Sequence, residues 1–94
     1  MKKTAFLINT ARGAIVDEKA LIEALRERRI GGAGLDVFPD EPFEKNHPIK
    51  LCEQVVMTPH AADQTPEGVD LLNGGAVDNV IAFLKGEPRN NVAA

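Results

Sequence analysis

The chain has 94 residues, of which 44% are hydrophobic and 27% are charged, and these values are typical of one small soluble domain. They exclude a disordered segment, a collagen-like repeat and a membrane-spanning chain, since no apolar run approaches the roughly 18 residues of a transmembrane helix. A net charge of −3 argues against nucleic acid as a partner, because such binders present a basic face. The single cysteine, Cys52, cannot form an internal disulfide, which favours a reducing, cytoplasmic compartment.

The first part of the chain alternates strand and helix signals. Residues 5–9 form a nearly continuous apolar run and predict a strand buried on both faces, and residues 10–13 follow it as a turn. Asp17 is a favourable N-cap for a helix with an apolar stripe at helical spacing, and Gly31-Gly32 is expected to end that helix. Residues 33–38 then predict a second strand.

The second part begins with a proline-rich, charged loop over residues 39–50, which leads to a third short strand at residues 54–58. A long helix is predicted over residues 65–84, where Thr65 is the cap and proline and glutamate follow it. Its apolar stripe indicates a core face or a subunit interface, since its acidic polar face argues against a membrane surface. The order β-α-β-loop-β-α predicts an α/β fold with a parallel sheet and a long C-terminal helix.

Polar residues follow each predicted strand, at residues 10–12, 36–41 and 58–60. Ligands of parallel sheets bind beyond the carboxyl ends of the strands, and these ends share one edge of the sheet. We therefore expect the three clusters to lie near one another and to form the ligand site.

Three side chains in these clusters have the chemistry of a catalytic site. The Arg12 guanidinium can bind a carboxylate through two parallel hydrogen bonds, although a solvated surface arginine is the plainer interpretation. His60 can act as an acid or base, or it can be a structural histidine whose hydrogen bonds are made within the fold. Glu41, taken alone, is typical of an ordinary loop residue. Together the three residues predict a catalytic site, because a carboxylate beside an imidazole favours the imidazolium, which is a useful general acid near neutral pH.

Other patterns are weaker. The glycine run at residues 31–34 leads into a strand and lacks the G-x-G-x-x-G spacing, so it does not predict a phosphate loop. His47, Cys52 and His60 lack the spacing of a zinc site, and we expect no metal. Cys52 fits a small buried apolar group better than a nucleophile.

Three ordered motifs resemble a known family. They are FLINTARG at residues 6–13, GAGLDVF at residues 32–38 followed by Glu41-Pro42, and TPH at residues 58–60. They are similar to motifs of the D-isomer-specific 2-hydroxyacid dehydrogenases, which include phosphoglycerate dehydrogenase, glycerate dehydrogenase and hydroxypyruvate reductase. The resemblance implies a Rossmann-like fold. Residues 1–94 would be the carboxyl-terminal half of the dinucleotide-binding domain, and residues 65–84 the helix that returns toward a substrate domain.

The resemblance also implies roles. Arg12 would bind the carboxylate of a 2-oxo acid, His60 would exchange a proton with its carbonyl oxygen, and Glu41 would pair with His60. NAD or NADP would carry the hydride, the substrate would be a small 2-hydroxy or 2-oxo acid, and the protein would be a homodimer. The residues expected along the cofactor are Thr10, Ala11, Arg12, Asp36 at the nicotinamide carboxamide, and His60 with Ala62 at the nicotinamide side.

In this family the G-x-G-x-x-G half of the domain would precede residue 1. We therefore expect little turnover and weak or absent cofactor binding by the chain alone, since the pyrophosphate would lack its cradle of backbone amides. Two alternatives remain open. The chain is a non-enzymatic module that self-associates or binds a partner through its sheet edge and long helix, or it is a gene fragment without independent function.

Overall fold

The computed structural model describes residues 1–92, which divide into two compact units, residues 1–62 and a unit that begins at Asp63. The first unit holds the sheet and one helix, and the second holds the long helix. The elements, in chain order, are β1 (Phe6–Asn9), α1 (Glu18–Arg26), β2 (Gly32–Leu35), β3 (Val55–Met57) and α2 (Pro66–Leu84), with short 3-10 turns at Gly13–Ile15 and Pro48–Leu51.

The sheet has three parallel strands in the order β1-β2-β3. Ile8 of β1 pairs with Gly34 of β2, and Gly34 pairs in turn with Val56 of β3. This confirms the α/β class, the parallel pairing and the long C-terminal helix. Because all three strands run in one direction, the segments that follow them begin at the same edge.

Helix α1 covers one face of this sheet. Asp17 caps it by accepting a hydrogen bond from the Ala20 backbone N–H (3.0 Å), and its buried Leu21 and Leu25 pack in a cluster with Leu35 of β2. The helix ends at Arg26, before the predicted Gly31-Gly32. The prediction was wrong here because Arg28 adopts a left-handed conformation (φ 52°).

The opposite face of the sheet is exposed. Phe6, Ile8 and Val56 are 67%, 68% and 70% exposed, so the expectation that the first strand is buried on both faces is wrong for the residues the structure describes. A Cβ atom on Gly34 would lie 2.9 Å from the Ile8 side chain. The Ile8 side chain of β1 therefore lies over the glycine position of β2.

Helix α2 matches the predicted span. The Thr65 hydroxyl accepts a hydrogen bond from the Gly68 backbone N–H (2.9 Å), Pro66 takes the first position, and Gly86 (φ 79°) follows the end. Across residues 1–92, no helix is long and apolar enough to cross a lipid bilayer. Helix α2 exposes a set of large apolar side chains; they are Val69, Leu71, Leu72, Val77, Val80, Ile81, Phe83 and Leu84.

Candidate active site

The turn after β1 is shaped by Asn9, a buried residue that the sequence analysis did not single out. Its side-chain NH2 donates to the Arg12 carbonyl oxygen (2.9 Å), and its side-chain oxygen accepts from the Ala11 N–H (3.1 Å). An amide residue that ends an apolar strand before a turn is the signal that could have found it. The two bonds close the turn and leave Thr10, Ala11 and Arg12 exposed at the edge of the sheet.

Gly13 brings this turn against the segment after β2. Gly13 is buried, and a Cβ atom at this position would overlap the backbone carbonyl of Phe38 and the nitrogen of Pro39. Only a residue without a side chain allows this approach. The close packing places Arg12 next to residues 38–39, so two of the three predicted clusters are neighbours.

Asp36 connects the ends of β2 and β3. It is 3% exposed, and its carboxylate accepts hydrogen bonds from the Thr58 hydroxyl (2.5 Å) and from the backbone N–H groups of Ala61 and Ala62 (both 2.9 Å). The Thr58 hydroxyl and then these N–H groups hold the pKa of Asp36 below its ordinary value. Asp36 was predicted only as a cofactor contact, and the structure shows that its carboxylate also holds residues 58–62 in place.

His60 lies within the segment that Asp36 holds, and it adopts a left-handed backbone conformation (φ 53°). That conformation is costly for a residue with a Cβ atom, and it persists where neighbouring contacts impose it. Asp36 binds the chain on both sides of His60, at Thr58 and at Ala61. These bonds direct the imidazole at the carboxyl edge of the sheet.

Glu41 and His60 form a hydrogen-bonded pair. The Nδ1 atom of His60 donates to Oε2 of Glu41 (2.7 Å), and Oε1 of Glu41 accepts from the Phe38 backbone N–H (3.0 Å). The bond from His60, followed by the bond from Phe38, lowers the pKa of Glu41, so the carboxylate is ionised at neutral pH. Since Glu41 engages Nδ1, Nε2 is the nitrogen of His60 that can exchange a proton with a ligand.

The pair opens into a cleft of about 260 Å³ with mostly apolar walls. The side chains of His60 and Glu41 are 47% and 36% exposed, so a small molecule reaches both. Arg12 lies on the neighbouring turn, where its Nη1 donates to the Ala11 carbonyl oxygen (2.7 Å), and it is not among the residues that line this cleft. The lining residues are Phe38, Glu41, Pro42, Phe43, Pro59 and His60.

Comparison with known protein families identifies the family of this chain. Residues 1–62 match the family model described as D-isomer specific 2-hydroxyacid dehydrogenase, NAD binding domain. The chain belongs to this family. The resemblance carried by the three sequence motifs is thereby confirmed, and all three motifs of this dehydrogenase-family chain lie in the matched range.

Relatives extend the match into the second unit. A glyoxylate reductase of Thermofilum pendens is 53% identical over 87 residues, which cover 93% of this chain and 26% of that protein. A glycerate dehydrogenase of Methylorubrum extorquens is 48% identical over 98 residues, which cover 100% of this chain and 31% of that protein. The dehydrogenase-family chain therefore spans between a quarter and a third of the length of these relatives.

A solved structure shows the same fold. The D-isomer specific 2-hydroxyacid dehydrogenase of Xanthobacter autotrophicus Py2, crystallised with NADPH and MES, superposes with a TM-score of 0.69 at 38% identity. The match covers 100% of this chain and 38% of that protein. The Rossmann-like interpretation of the strand and helix order is confirmed.

Proposed function

We propose that this chain supplies the proton-transfer site and the nicotinamide-facing edge of an NAD(P)-dependent oxidoreductase that interconverts a D-2-hydroxy acid and a 2-oxo acid. The observation that carries the proposal is the 2.7 Å bond between Glu41 and His60 at the carboxyl edge of the sheet. The names of the relatives, glyoxylate reductase and glycerate dehydrogenase, support this substrate class. In this proposal residues 1–94 are the carboxyl-terminal half of a dinucleotide-binding domain, and α2 returns toward a substrate domain.

Proton transfer is the task of the Glu41–His60 pair. NAD(P)H, when bound, would supply the hydride that reduces the carbonyl carbon of the 2-oxo acid. His60 donates the proton on Nε2 to the carbonyl oxygen during reduction and accepts it back during oxidation. Glu41, held in turn by the Phe38 N–H, keeps the imidazole oriented through its bond to Nδ1.

Binding of the substrate carboxylate is the task of Arg12. A guanidinium has five N–H donors in a planar fork, and one of them is engaged by the Ala11 carbonyl oxygen. The others can form the two parallel bonds that a carboxylate accepts. The exposure of Arg12, and the approach of Gly13 to residues 38–39, support a position beside the cleft.

The residues fit one end of a nicotinamide cofactor. Thr10, Ala11 and Ala62 are exposed and small at the carboxyl edge, where a flat ring can approach, and His60 supplies the proton that hydride transfer requires. The 94 residues contain no G-x-G-x-x-G loop to hold a pyrophosphate. We therefore expect weak cofactor binding and little turnover from these 94 residues alone.

A chimera tests the proposal. The 94 residues replace the matching segment of the Thermofilum pendens glyoxylate reductase, and reduction of glyoxylate is followed through oxidation of the nicotinamide cofactor. His60→Ala is expected to lower kcat by about 10²–10⁴-fold, the contribution of a general acid. Lys19→Ala, an exposed change on α1, is the matched control. An active chimera in which His60→Ala keeps the parental kcat would refute the proton-transfer role.

Self-association is a second candidate, which the exposed apolar side chains favour. Phe6, Ile8 and Val56 on the sheet are accompanied by the exposed apolar residues of α2, and monomeric proteins rarely expose so much apolar surface. A homodimer, or a partner that covers these surfaces, would remove them from water. Sedimentation of the folded chain as a strict monomer at all concentrations would contradict self-association.

A further inference from the structure

A second histidine–carboxylate pair lies outside the cleft, between His47 and Glu18. Nε2 of His47 lies 3.1 Å from Oε2 of Glu18, and Nδ1 accepts a hydrogen bond from the Ile49 backbone N–H (3.3 Å). Both ring nitrogens of His47 are therefore engaged in hydrogen bonds. The side chains are 16% and 24% exposed, so the pair is far less accessible than Glu41 and His60.

The pair fastens the long segment between β2 and β3 to a rigid helix. Glu18 is the first residue of α1, which is packed through Leu25 in the core, and His47 caps the short turn Pro48–Leu51. Ile49, which is fully buried, anchors the same turn. The remainder of the segment after β2 carries Glu41, so its position depends on how this end is held.

Aromatic contacts connect the two pairs. The ring centroid of Phe43 lies 4.7 Å from that of His47 and 4.2 Å from that of Phe38, with tilted rings. The Phe38 backbone N–H donates to the carboxylate of Glu41, which accepts from His60. Tilted aromatic pairs at such distances are favourable, and each contact restricts the next. An unbroken series of contacts therefore leads from His47 to the proton-transfer pair.

We infer that His47 is a positioning residue: by holding the 39–51 segment against α1, it sets the Glu41 carboxylate at the distance at which it orients His60. The inference rests on the proposed function, since it concerns the acid–base pair of that site. His47 itself lines no part of the cleft of Phe38, Glu41 and His60 and acts only through the segment.

Substitutions separate this role from a general contribution to folding. His47→Asn keeps an acceptor for the Ile49 N–H but loses the bond to Glu18 and the stacking on Phe43. Glu18→Ala removes the acceptor, whereas Glu18→Gln keeps a side-chain oxygen in its place. Gln54→Ala is the matched control, because Gln54 donates to the Leu25 carbonyl oxygen (2.6 Å) in the same unit and takes no part in the contacts that join His47, Phe43, Phe38 and Glu41.

The readout is the Nδ1 proton of His60, measured by nitrogen-15 NMR on the 94-residue chain without substrate. The chain has two histidines, so His47→Asn also assigns the signals. We expect His47→Asn and Glu18→Ala to raise the exchange rate of this proton with water by about two- to tenfold, the effect of losing one hydrogen bond in the series. Glu18→Gln should restore the wild-type rate, and Gln54→Ala should leave it unchanged.

Two results would overturn the inference. An equal effect of Gln54→Ala would assign the change to overall stability, and an unchanged rate in His47→Asn would show that the segment holds Glu41 without His47. Should His47→Asn fail to fold, the Glu18→Ala and Glu18→Gln chains decide, and identical rates in these two would refute the inference. The proposed function is tested separately, by the kinetics of the His60→Ala and Arg12→Ala variants of the chimera.

Discussion

Replacing Gly13 by alanine adds one methyl group at the point where two site segments meet. The new Cβ atom would overlap the carbonyl carbon and oxygen of Phe38 and the nitrogen of Pro39. All three are backbone atoms, so no side chain can rotate away to make room. Either the turn that carries Arg12 or the segment at Phe38 after β2 must shift, and the second shift breaks the bond from Phe38 to Glu41.

The expected loss of stability follows from the overlap of the new Cβ atom with backbone atoms. Adding a methylene-sized group to a packed site costs about 1–3 kcal/mol, and a clash with backbone lies at the upper end of that range. For a domain of this size, 1 kcal/mol shifts the melting temperature by about 4–8 °C. We therefore expect Gly13→Ala to lower the free energy of unfolding by about 3 kcal/mol and the melting temperature by about 12–24 °C.

The assay is urea and thermal unfolding of the 94-residue chain, followed by far-UV circular dichroism. Gly74→Ala is the matched control, because a Cβ at Gly74, inside α2, meets nothing within 4 Å. This control should raise the free energy of unfolding by about 0.5–1 kcal/mol, since alanine favours a helix over glycine. A Gly13→Ala chain that unfolds like the wild type would refute the close approach of the two segments.

Three further outcomes are expected. In the chimera, Arg12→Ala should raise the KM for the 2-oxo acid by about 10–100-fold, the effect of losing charged hydrogen bonds, and an unchanged KM would contradict carboxylate binding. Hydrogen bonds hold the pKa values of Asp36 and Glu41 below their ordinary values of 3.8 and 4.5, so the carboxylates stabilise the fold above those values. That stabilisation should be lost as the pH falls through the lower pKa values of the folded state, and a melting temperature constant between about pH 6 and about pH 3 would count against it. Leu25 is fully buried, and Leu25→Ala should lower the free energy of unfolding in urea by about 2–5 kcal/mol. Leu71 is 76% exposed, and Leu71→Ala should change this free energy little.

Features that depend on neighbouring residues could be predicted from the sequence. Asp17 and Thr65 begin their helices by capping N–H groups three residues ahead, and the span of residues 65–84 follows from the same local chemistry. The order of strands and helices was sufficient to predict parallel pairing and a shared edge. The end of α1 was not predictable, because the left-handed turn at Arg28 carries no glycine signal.

Features that depend on residues distant in the sequence could be found only in the folded structure. Nothing local to Asp36 indicates that its carboxylate accepts bonds from residues more than twenty positions away, at Thr58 and Ala61. The need for glycine at position 13 arises from the backbone of Phe38, and the exposure of Ile8 depends on which layers cover the sheet.

The sequence alone therefore determined the elements, their order and the identity of the reactive side chains, because caps, periodicity and residue chemistry act over one or two turns of chain. The sequence motifs also implied, through the family resemblance, that Glu41 pairs with His60. Only the tertiary structure decided which atoms of the two side chains meet and that Arg12 lies on the adjoining turn outside their cleft. The physical reason is that hydrogen-bond geometry is set by the packing of whole segments against one another. A difference of one ångström between two segments separates a bonded pair from two unrelated surface groups.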